Sequence, residues 1–481
     1  MLKSLTLWIG LVGLASGCGA SGSRAIGSGS TGSGSTAQTP LGPAGCGLTN
    51  AAFCDTFDTP SPGGNAGDLD DSKWSAARAS GLDSIGQGQL DWWPPSLATA
   101  CGMTLNNVLP HNDMFFCAGG PTPSMHFNNA YNDGQSFTVH SYRIRQPFDF
   151  TNRTGVVVFD VDGQSQFPGG HGYWFNFFIA SEPIPIPYQD TNIGNFFAKE
   201  GVGIEFQGAD VACVDPTCKT FAGIPTSCGN ANAVSNFFIE DAYQIVQTIP
   251  YPGSVAQACF KTQPEVLNHF EVHISQSKIE VLAADAGQPS TLRTVAVADG
   301  LSLPLTRGYV SLQHTHYNEA KSGLTGLPMY HTYHWDNVGF DGPVAATPRS
   351  YEVPDSLTSN RSGVDIGYAL LKTGMATPVN TPLAAPISLQ NVDTTNSTDA
   401  VLTFNTANFQ PNDTISYQFN NAPARTYTYS FPTYDHADDG TYPVAIAVQL
   451  SDLQQGTNTF QMSSASGQVG VYNVELTIDT Q

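Results

Sequence analysis

Short runs in which apolar and polar residues alternate recur along the chain. In Val156–Asp162 (VVVFDVD), Phe159 and Val161 fall on one parity and Asp160 and Asp162 on the other, as a strand with one face on a core and one away from it requires. Tyr173–Ala180 and Val202–Gln207 repeat the pattern: Trp174 with Asn176, and Glu205 with Gln207, lie opposite the apolar set. His269, Glu271 and His273 likewise stand opposite Phe270, Val272 and Ile274. If these strands share a sheet, its non-core face carries acids, amides, a tryptophan and histidines. A slip of one residue would reverse every assignment and send Trp174 to the core instead of Tyr173 and Phe175.

The same period continues through Arg307–Pro343. Val310, Leu312, His314 and His316 share one parity, and His334, Asp336, Val338 and Phe340 share another. The apolar members are expected to close the core, with the histidines where it opens at one end. Paired as a hairpin, the two runs would bring His314 near His334. Gly, Asn, Asp and Pro separate the runs and no long segment has the apolar period of a helix, so the fold class is all-β. After Pro343 the texture changes. Ala345-Ala346-Thr347-Pro348 reads as a linker. Val401–Phe404, Thr414–Phe419, Thr426–Phe431, Val444–Leu450, Thr457–Met462 and Val469–Ile478 then read as strands of a smaller sandwich over residues 345–481.

Forty acidic against 18 basic residues give a formal charge of −22, which repels nucleic-acid phosphates and leaves no polybasic patch for anionic lipid. Only 12% of residues are charged, whereas glycine numbers 48 and proline 32, a balance suited to short strands and turns in an extracellular β protein. Lys3 followed by Leu5–Ala15 has the charge and length of a signal peptide, too short for a stable membrane span. Its end, Leu14-Ala15-Ser16-Gly17-Cys18, resembles the lipobox of bacterial lipoproteins, with Ala15 where that motif usually has Leu. The resemblance implies lipidation of Cys18 and a membrane contact through that lipid alone. The protein would then sit in the bacterial cell envelope, periplasmic or surface-exposed; plain secretion is the alternative. Residues 1–18 are assigned to the signal, and the Gly/Ser-rich residues 19–43 to a tether unable to bury enough apolar surface to order itself.

Setting Cys18 aside leaves eight of the nine cysteines, an even number in an exported chain, so four disulfides are expected. Pairing of sequence neighbours gives Cys46 with Cys54, Cys101 with Cys117, Cys213 with Cys218, and Cys228 with Cys259. No pair has the close spacing of a zinc ribbon.

The opening Phe53-Cys54-Asp55-Thr56-Phe57-Asp58 with Trp74 soon after, the strand Arg143–Phe150 (RIRQPFDF), the strand Val156–Gly163, and the closing GYVSLQ and YHWDNVGFDG segments together resemble the concanavalin A-like lectin/glucanase superfamily over Cys46–Pro343. That resemblance implies a sandwich of two curved antiparallel sheets over residues 44–344, with sugar chains bound on the concave sheet. It also implies a structural Ca2+ between the first strand and an acid of the last, positions matched by Asp55, Asp58 and Asp336. The C-terminal region is similar to immunoglobulin-like or carbohydrate-binding accessory modules.

A glycosidase needs two carboxylates about 5 to 9.5 Å apart, and Asp160, Asp162, Glu205 and Glu271 are the candidates. Glucanase members of the superfamily carry a Glu-x-Asp-x-(x)-Glu motif on one strand. Here Ile204–Asp210 (IEFQGAD) has Gln207 where the middle Asp belongs and no second Glu, so the expectation leans to binding without catalysis. Trp174, Asn176 and Gln207 offer the stacking face and planar amides that pyranose rings and hydroxyls take, and Glu182, in the proline-rich Ser181–Asp190, is placed to close the groove or to sit in solvent. His314, His316 and His334 with Asp336 would suit zinc if their strands pair; hydrogen-bonded structural histidines are the other reading. The expected function is an envelope lipoprotein that binds a carbohydrate polymer. A glycan-cleaving hydrolase and a structural or adhesive surface protein are the alternatives.

Overall fold

The computed structural model describes residues 43–58, 70, 72–80, 114–116, 125–131, 137–165, 174–187, 189–191, 194–196, 198–208, 232–250, 259–263, 266–317, 329–352, 387–407, 414–428, 442–464 and 470–480. Cys18, Cys101, Cys117, Cys213, Cys218 and Cys228, with the signal and tether, lie outside them.

The described residues are nearly all strand. Sheet I runs Gln288–Asp299, Lys278–Asp285, Asn268–Ser275, Gly155–Ser165, Met329–Asp341, Met125–Tyr131 and Met114–Phe116, with Ala51–Asp55 also paired to Met329–Asp341. Sheet II runs Gln244–Pro250, Asn232–Asp241, Glu200–Gly208, Trp174–Ala180, Arg307–Tyr317, Phe137–Ile144 and Trp74–Ser80. Every pairing is antiparallel. The two sheets enclose one core, in which Phe159 and Phe270 of sheet I meet Phe175 and Phe206 of sheet II, ring centroids 4.3 to 6.2 Å apart. The alternation read from the sequence supplies these rings, because each strand turns every second side chain inward. Val310, Leu312, Val338 and Phe340 are all fully buried in this core, as expected.

Two expectations about Arg307–Pro343 are overturned. Its two strands do not form a hairpin: Arg307–Tyr317 belongs to sheet II and Met329–Asp341 to sheet I. His314 and His316 therefore share no strand pair with His334. The parity of the second run also changes midway. Asn337 adopts a left-handed φ of 49° and the register shifts between Asp336 and Gly339, a β-bulge of the kind Asn accommodates. Asp336 pairs with Asp160 away from the core, whereas Val338 and Phe340 beyond the bulge point inward beside Phe53 and Phe148. Gly339 lets the backbones close here, since a Cβ would stand 2.8 Å from the Phe53 carbonyl and 2.9 Å from Cys46 Cβ. The Cys46–Cys54 disulfide ties the first strand at this point. Cys259 is also disulfide-bonded.

Residues beyond Arg349 form two four-stranded sheets. One runs Arg349–Glu352, Gly470–Thr480, Ser397–Ala407 and Tyr442–Ala447; the other runs Ile387–Val392, Gly456–Ser464, Thr414–Phe419 and Arg425–Thr428. They share a separate core built on Leu402, Phe404, Phe419, Phe460 and Leu476. This C-terminal pair packs onto the outer face of sheet II. Glu475 takes Arg143 Nη2 at 2.7 Å on both oxygens, Arg145 Nη1 at 3.2 Å and Ser75 Oγ at 2.6 Å, with its side chain 3% exposed. Burial pushes the Glu475 pKa up, but the charges of Arg143 and Arg145 and the Ser75 hydroxyl outweigh it and hold the group at about 2. Nearby, Ala445 packs on Ala180, Ile184 and Ala198.

Removing the carboxylate leaves two guanidiniums facing each other in a buried junction. Glu475→Leu is therefore expected to destabilise the protein by about 3–5 kcal/mol, the usual cost of stranding one side of a buried ion pair. Urea unfolding of variant and wild type measures it, and a loss below about 1 kcal/mol, the range of an exposed pair, would contradict the junction described.

Candidate functional site

The outer face of sheet II carries a polar row that crosses its central strands. Successive Cα partners are Ser141, Gln313, Asn176, Glu205 and Asn236. Because Phe175, Phe177, Ile204 and Phe206 fill the core, Asn176 and Glu205 must point the other way; Trp174 and Gln207 are Cα partners at the next position along these strands. The parity expected for Asn176 and Glu205 holds. Ser141, Gln313, Asn176 and Glu205 are all buried. Glu205 Oε2 accepts Ser235 Oγ at 2.9 Å and the Asn236 amide; the irregularity between Glu205 and Phe206 brings those two consecutive residues to the same carboxylate. Neither the nitrogen nor the oxygen of the Asn176 amide has a hydrogen-bond partner, and the hydroxyls of Ser141 and Ser311 have none either. A buried unpartnered polar group costs about 1–3 kcal/mol, so Asn176, Ser141 and Ser311 carry a cost that packing does not require.

One step along the strands, Ser311 lies across from Arg143 and Phe178, and Gly203 lies between Phe178 and Phe238. A Cβ on Gly203 would meet the Phe178 ring at 2.2 Å. The C-terminal sheets begin here, at Arg143, so they wall the row on one side.

Asp160, Asp162 and Glu271, expected on the same face as Glu205, sit instead on strands of sheet I. Phe159, Val161, Phe270 and Val272 turn inward, so Asp160 and Glu271 occupy positions on the far side of the sandwich. There they form a chain of polar contacts. Asn337 Nδ2 donates to Asp160 Oδ2 at 2.7 Å, Asp160 Oδ1 meets His269 Nδ1 at 2.6 Å, His269 Nε2 stands 3.7 Å from Glu271, and His273 Nε2 meets Glu271 at 2.6 Å. Asp160, and then Glu271, raise the His269 pKa to about 9. His269 and His273 hold Glu271 at about 2. Glu271 is thus an ion-pair partner and not a proton donor near neutrality.

Glu182 lies neither on the row nor in open solvent. Burial pushes its pKa up to about 7 beside Tyr243, whose hydroxyl is 3.5 Å away, and its charge acts on Tyr427 of the C-terminal sheets. It belongs to the junction. For calcium, Asp55, Asp58 and Asp336 are near enough that the charges of Asp160, Asp58 and Asp55 add to burial in raising Asp336 to about 7. Yet Asp55 is engaged by Trp74 Nε1 at 2.8 Å, the Phe57 amide at 3.1 Å and Lys73 at 3.3 Å, and Asp58 accepts from Thr56. Among the described residues no three His, Cys, Asp or Glu side chains are grouped to hold an ion. His314, His316 and His334 are placed by strand alone, the first two on positions of sheet II that follow the inward-facing Val310 and Leu312.

Arg143, Ser141 and Ser311 were not anticipated as site residues. The signal was present in Arg143-Ile144-Arg145, two cations at period two in a chain that is 12% charged, since strands with a solvated face rarely need to bury arginine.

No protein-family model matches the chain, and no curated protein matches it in sequence. Among solved structures it is similar to peanut lectin with a nine-residue peptide (11% identity, covering 56% of this chain and 98% of that one, TM-score 0.28). It is also similar to lectin II from Ulex europaeus (10%, 48% and 90%, TM-score 0.30) and to the luminal domain of VIP36 in its Ca2+/Man3GlcNAc-bound form (10%, 47% and 81%, TM-score 0.29). At such identities and scores none of these likenesses transfers a site or an activity to this chain.

The raised pKa of His269 makes its contribution to stability fully present below 6.5 and lost as pH climbs to about 9. His269→Gln is expected to lower the unfolding midpoint most near pH 6, with the gap to wild type closing towards pH 9 to 10. Midpoints across that range check it, and a gap that stays constant would contradict the assignment.

Proposed function

We propose that this is an exported bacterial envelope protein that holds a polysaccharide against the outer face of sheet II without cleaving it. The observation that carries the reading is the row of Ser141, Gln313, Asn176 and Glu205, buried, in register, and with the Asn176 amide unpartnered. A primary amide with a free donor and a free acceptor beside a carboxylate matches the paired hydroxyls of a sugar ring, and the parity of the sequence assigns Trp174, two residues before Asn176, to stacking. Hydrolysis finds less support. Asp160, Asp162 and Glu271 lie on the opposite sheet from Glu205, and packed sheets stand about 10 Å apart before outward side chains are added, beyond the carboxylate spacing of about 5 to 9.5 Å that glycosidases use. Export agrees with the Cys46–Cys54 bridge, and anchorage is assigned to a lipid on Cys18.

Incubating the full chain with a glycan panel should give retention without release of reducing ends, and Asn176→Ala should weaken retention about tenfold, the scale of one lost buried hydrogen bond to a sugar. Release of reducing ends abolished by Glu205→Gln would replace binding with hydrolysis, and no retention on a broad panel would favour a structural or adhesive role. Cys18→Ala, expressed in a bacterial host, should move the protein from the membrane fraction to the soluble one; unchanged fractionation would remove the lipid anchor from this reading.

A further inference from the structure

Away from Glu475, the contact between sheet II and the C-terminal sheets is built from apolar atoms and acids. Ala445, on the C-terminal strand Tyr442–Ala447, packs on Ala180, Ile184 and Ala198. Glu182 lies two residues before Ile184, in a stretch whose Pro183, Pro185 and Pro187 are buried and fix the backbone. Its carboxylate meets the Tyr243 hydroxyl at 3.5 Å and acts through its charge on Tyr427 of the C-terminal strand Arg425–Thr428. The charged groups that act on it are Lys199, which is exposed, and Glu200. Tyr243 is held there by the two-residue turn Ala242-Tyr243, in which both residues take a positive φ, 50° and 60°. Such hairpin turns normally use Asn and Gly. A tyrosine in the left-handed region is strained, and this one delivers its hydroxyl to Glu182.

A second acid lies beneath the same contact. Glu240 is the Cα partner of Gly201, where a Cβ would stand 2.6 Å from its Oε2. The Ala198 amide donates to Oε2 at 2.9 Å, Oε1 has no hydrogen-bond partner, and the residue is 0% exposed. Ala198 links the two elements, since it bonds Glu240 through its N–H and packs near Ala445 through its side chain. Neither acid has an ion-pair partner among the described residues. A carboxylate shut away from water without an opposite charge is costly, and the proton stays on instead. Burial accordingly pushes Glu182 up to about 7 and Glu240 well above the usual carboxylate range. Glu475, at the other end of the junction, is held at about 2 and keeps its charge over the whole range in which Glu182 titrates.

We infer that the Ala198–Ala445 end of the junction is a pH-operated clasp, which holds the C-terminal sheets while Glu182 and Glu240 are neutral and loosens as they ionise, with the Glu475 end as its fixed point. An acid whose pKa is raised in the closed state contributes stability that is fully present below its ordinary value and is lost as pH climbs through the raised one. For Glu182 that window runs from 4.5 to about 7. Glu240, raised by burial, acts in the same direction. Once ionised, Glu182 faces the Tyr427 side of the contact, where Glu200 adds to the repulsion and Lys199 relieves part of it. Letting the C-terminal strands move off returns water to the carboxylate, the exchange that a local electrostatic switch uses. None of these residues belongs to the row from Ser141 to Glu205, so the clasp does not depend on what that row binds.

Hydrogen exchange of the full chain at about pH 5 and about pH 8, corrected for the intrinsic effect of pH on amide exchange, tests the clasp. The peptides to follow cover residues 181–186 and Tyr442–Ala447, with residues 156–159 and Thr414–Phe419 as references in the two cores. Protection of the junction peptides should fall about tenfold or more between the two pH values, while the references change by less than about threefold. Glu182→Gln keeps the shape of an acid that is already neutral at the lower pH, so it should fold and hold the junction at pH 8 near its protection at pH 5. Glu240→Gln should recover part of the fall. Junction protection that does not change with pH, or that falls no further than in the references, would overturn the clasp. A fall that persists undiminished in Glu182→Gln and in Glu240→Gln would take both acids out of it.

Discussion

Glu475 is the contact on which the arrangement of sheet II depends. A strand buried on both faces cannot alternate freely between apolar and polar residues, because the polar ones have no water to turn to. Sheet II is in that position: Phe175, Phe177 and Ile179 fill the core, while Asn176 and Phe178 on the opposite face are also buried. The sequence places Arg143 and Arg145 on that second face, and a carboxylate brought in by another part of the chain offsets their burial. Glu475 arrives from a strand whose own core is separate, so this desolvated ionic contact helps to couple two cores.

That coupling divides the outer face of sheet II. On one side of Arg143 the C-terminal sheets take up the strands through Glu475, Ala445 and the Glu182–Tyr243–Tyr427 group. On the other side Ser141 and Asn176 keep polar atoms without partners. The first half is an interface, and its boundary falls at Arg143.

Much of this was legible in the alternation of residues. Phe159, Val161, Phe270, Val272, Val310, Leu312, Val338 and Phe340 are core residues as their spacing required, and Asn176 and Glu205 face away from them. Alternation reports which face of a strand is apolar but not to which sheet the strand belongs. For that reason Glu205 and Asp160, with the same local signature, appeared to share a surface and in fact occupy opposite ones. Local pattern likewise gives no warning of a bulge. Asn337 reverses the phase within one strand through a left-handed backbone that Asn tolerates, and its side chain then ties Asp160, so Asp336 and Val338 part company despite equal spacing. The junction was illegible for a different reason: Arg143 and Glu475 are 332 residues apart, and nothing in either neighbourhood names the other.

The pairing of Ala51–Asp55 with Met329–Asp341 has a consequence for how the chain is made. The first strand of the sandwich finds its partner only in the last, and Gly339 can close on Phe53 and Cys46 only after everything between has emerged. Contacts of such long sequence separation form late, because loop closure must precede any gain from them. Until then Phe53 and Phe57, destined for the core, stay uncovered, while the short Cys46–Cys54 loop can already form. A chain delivered across a membrane from its N-terminus would thus hold its first strand open to the end of delivery, a state open to holding factors and to proteases alike.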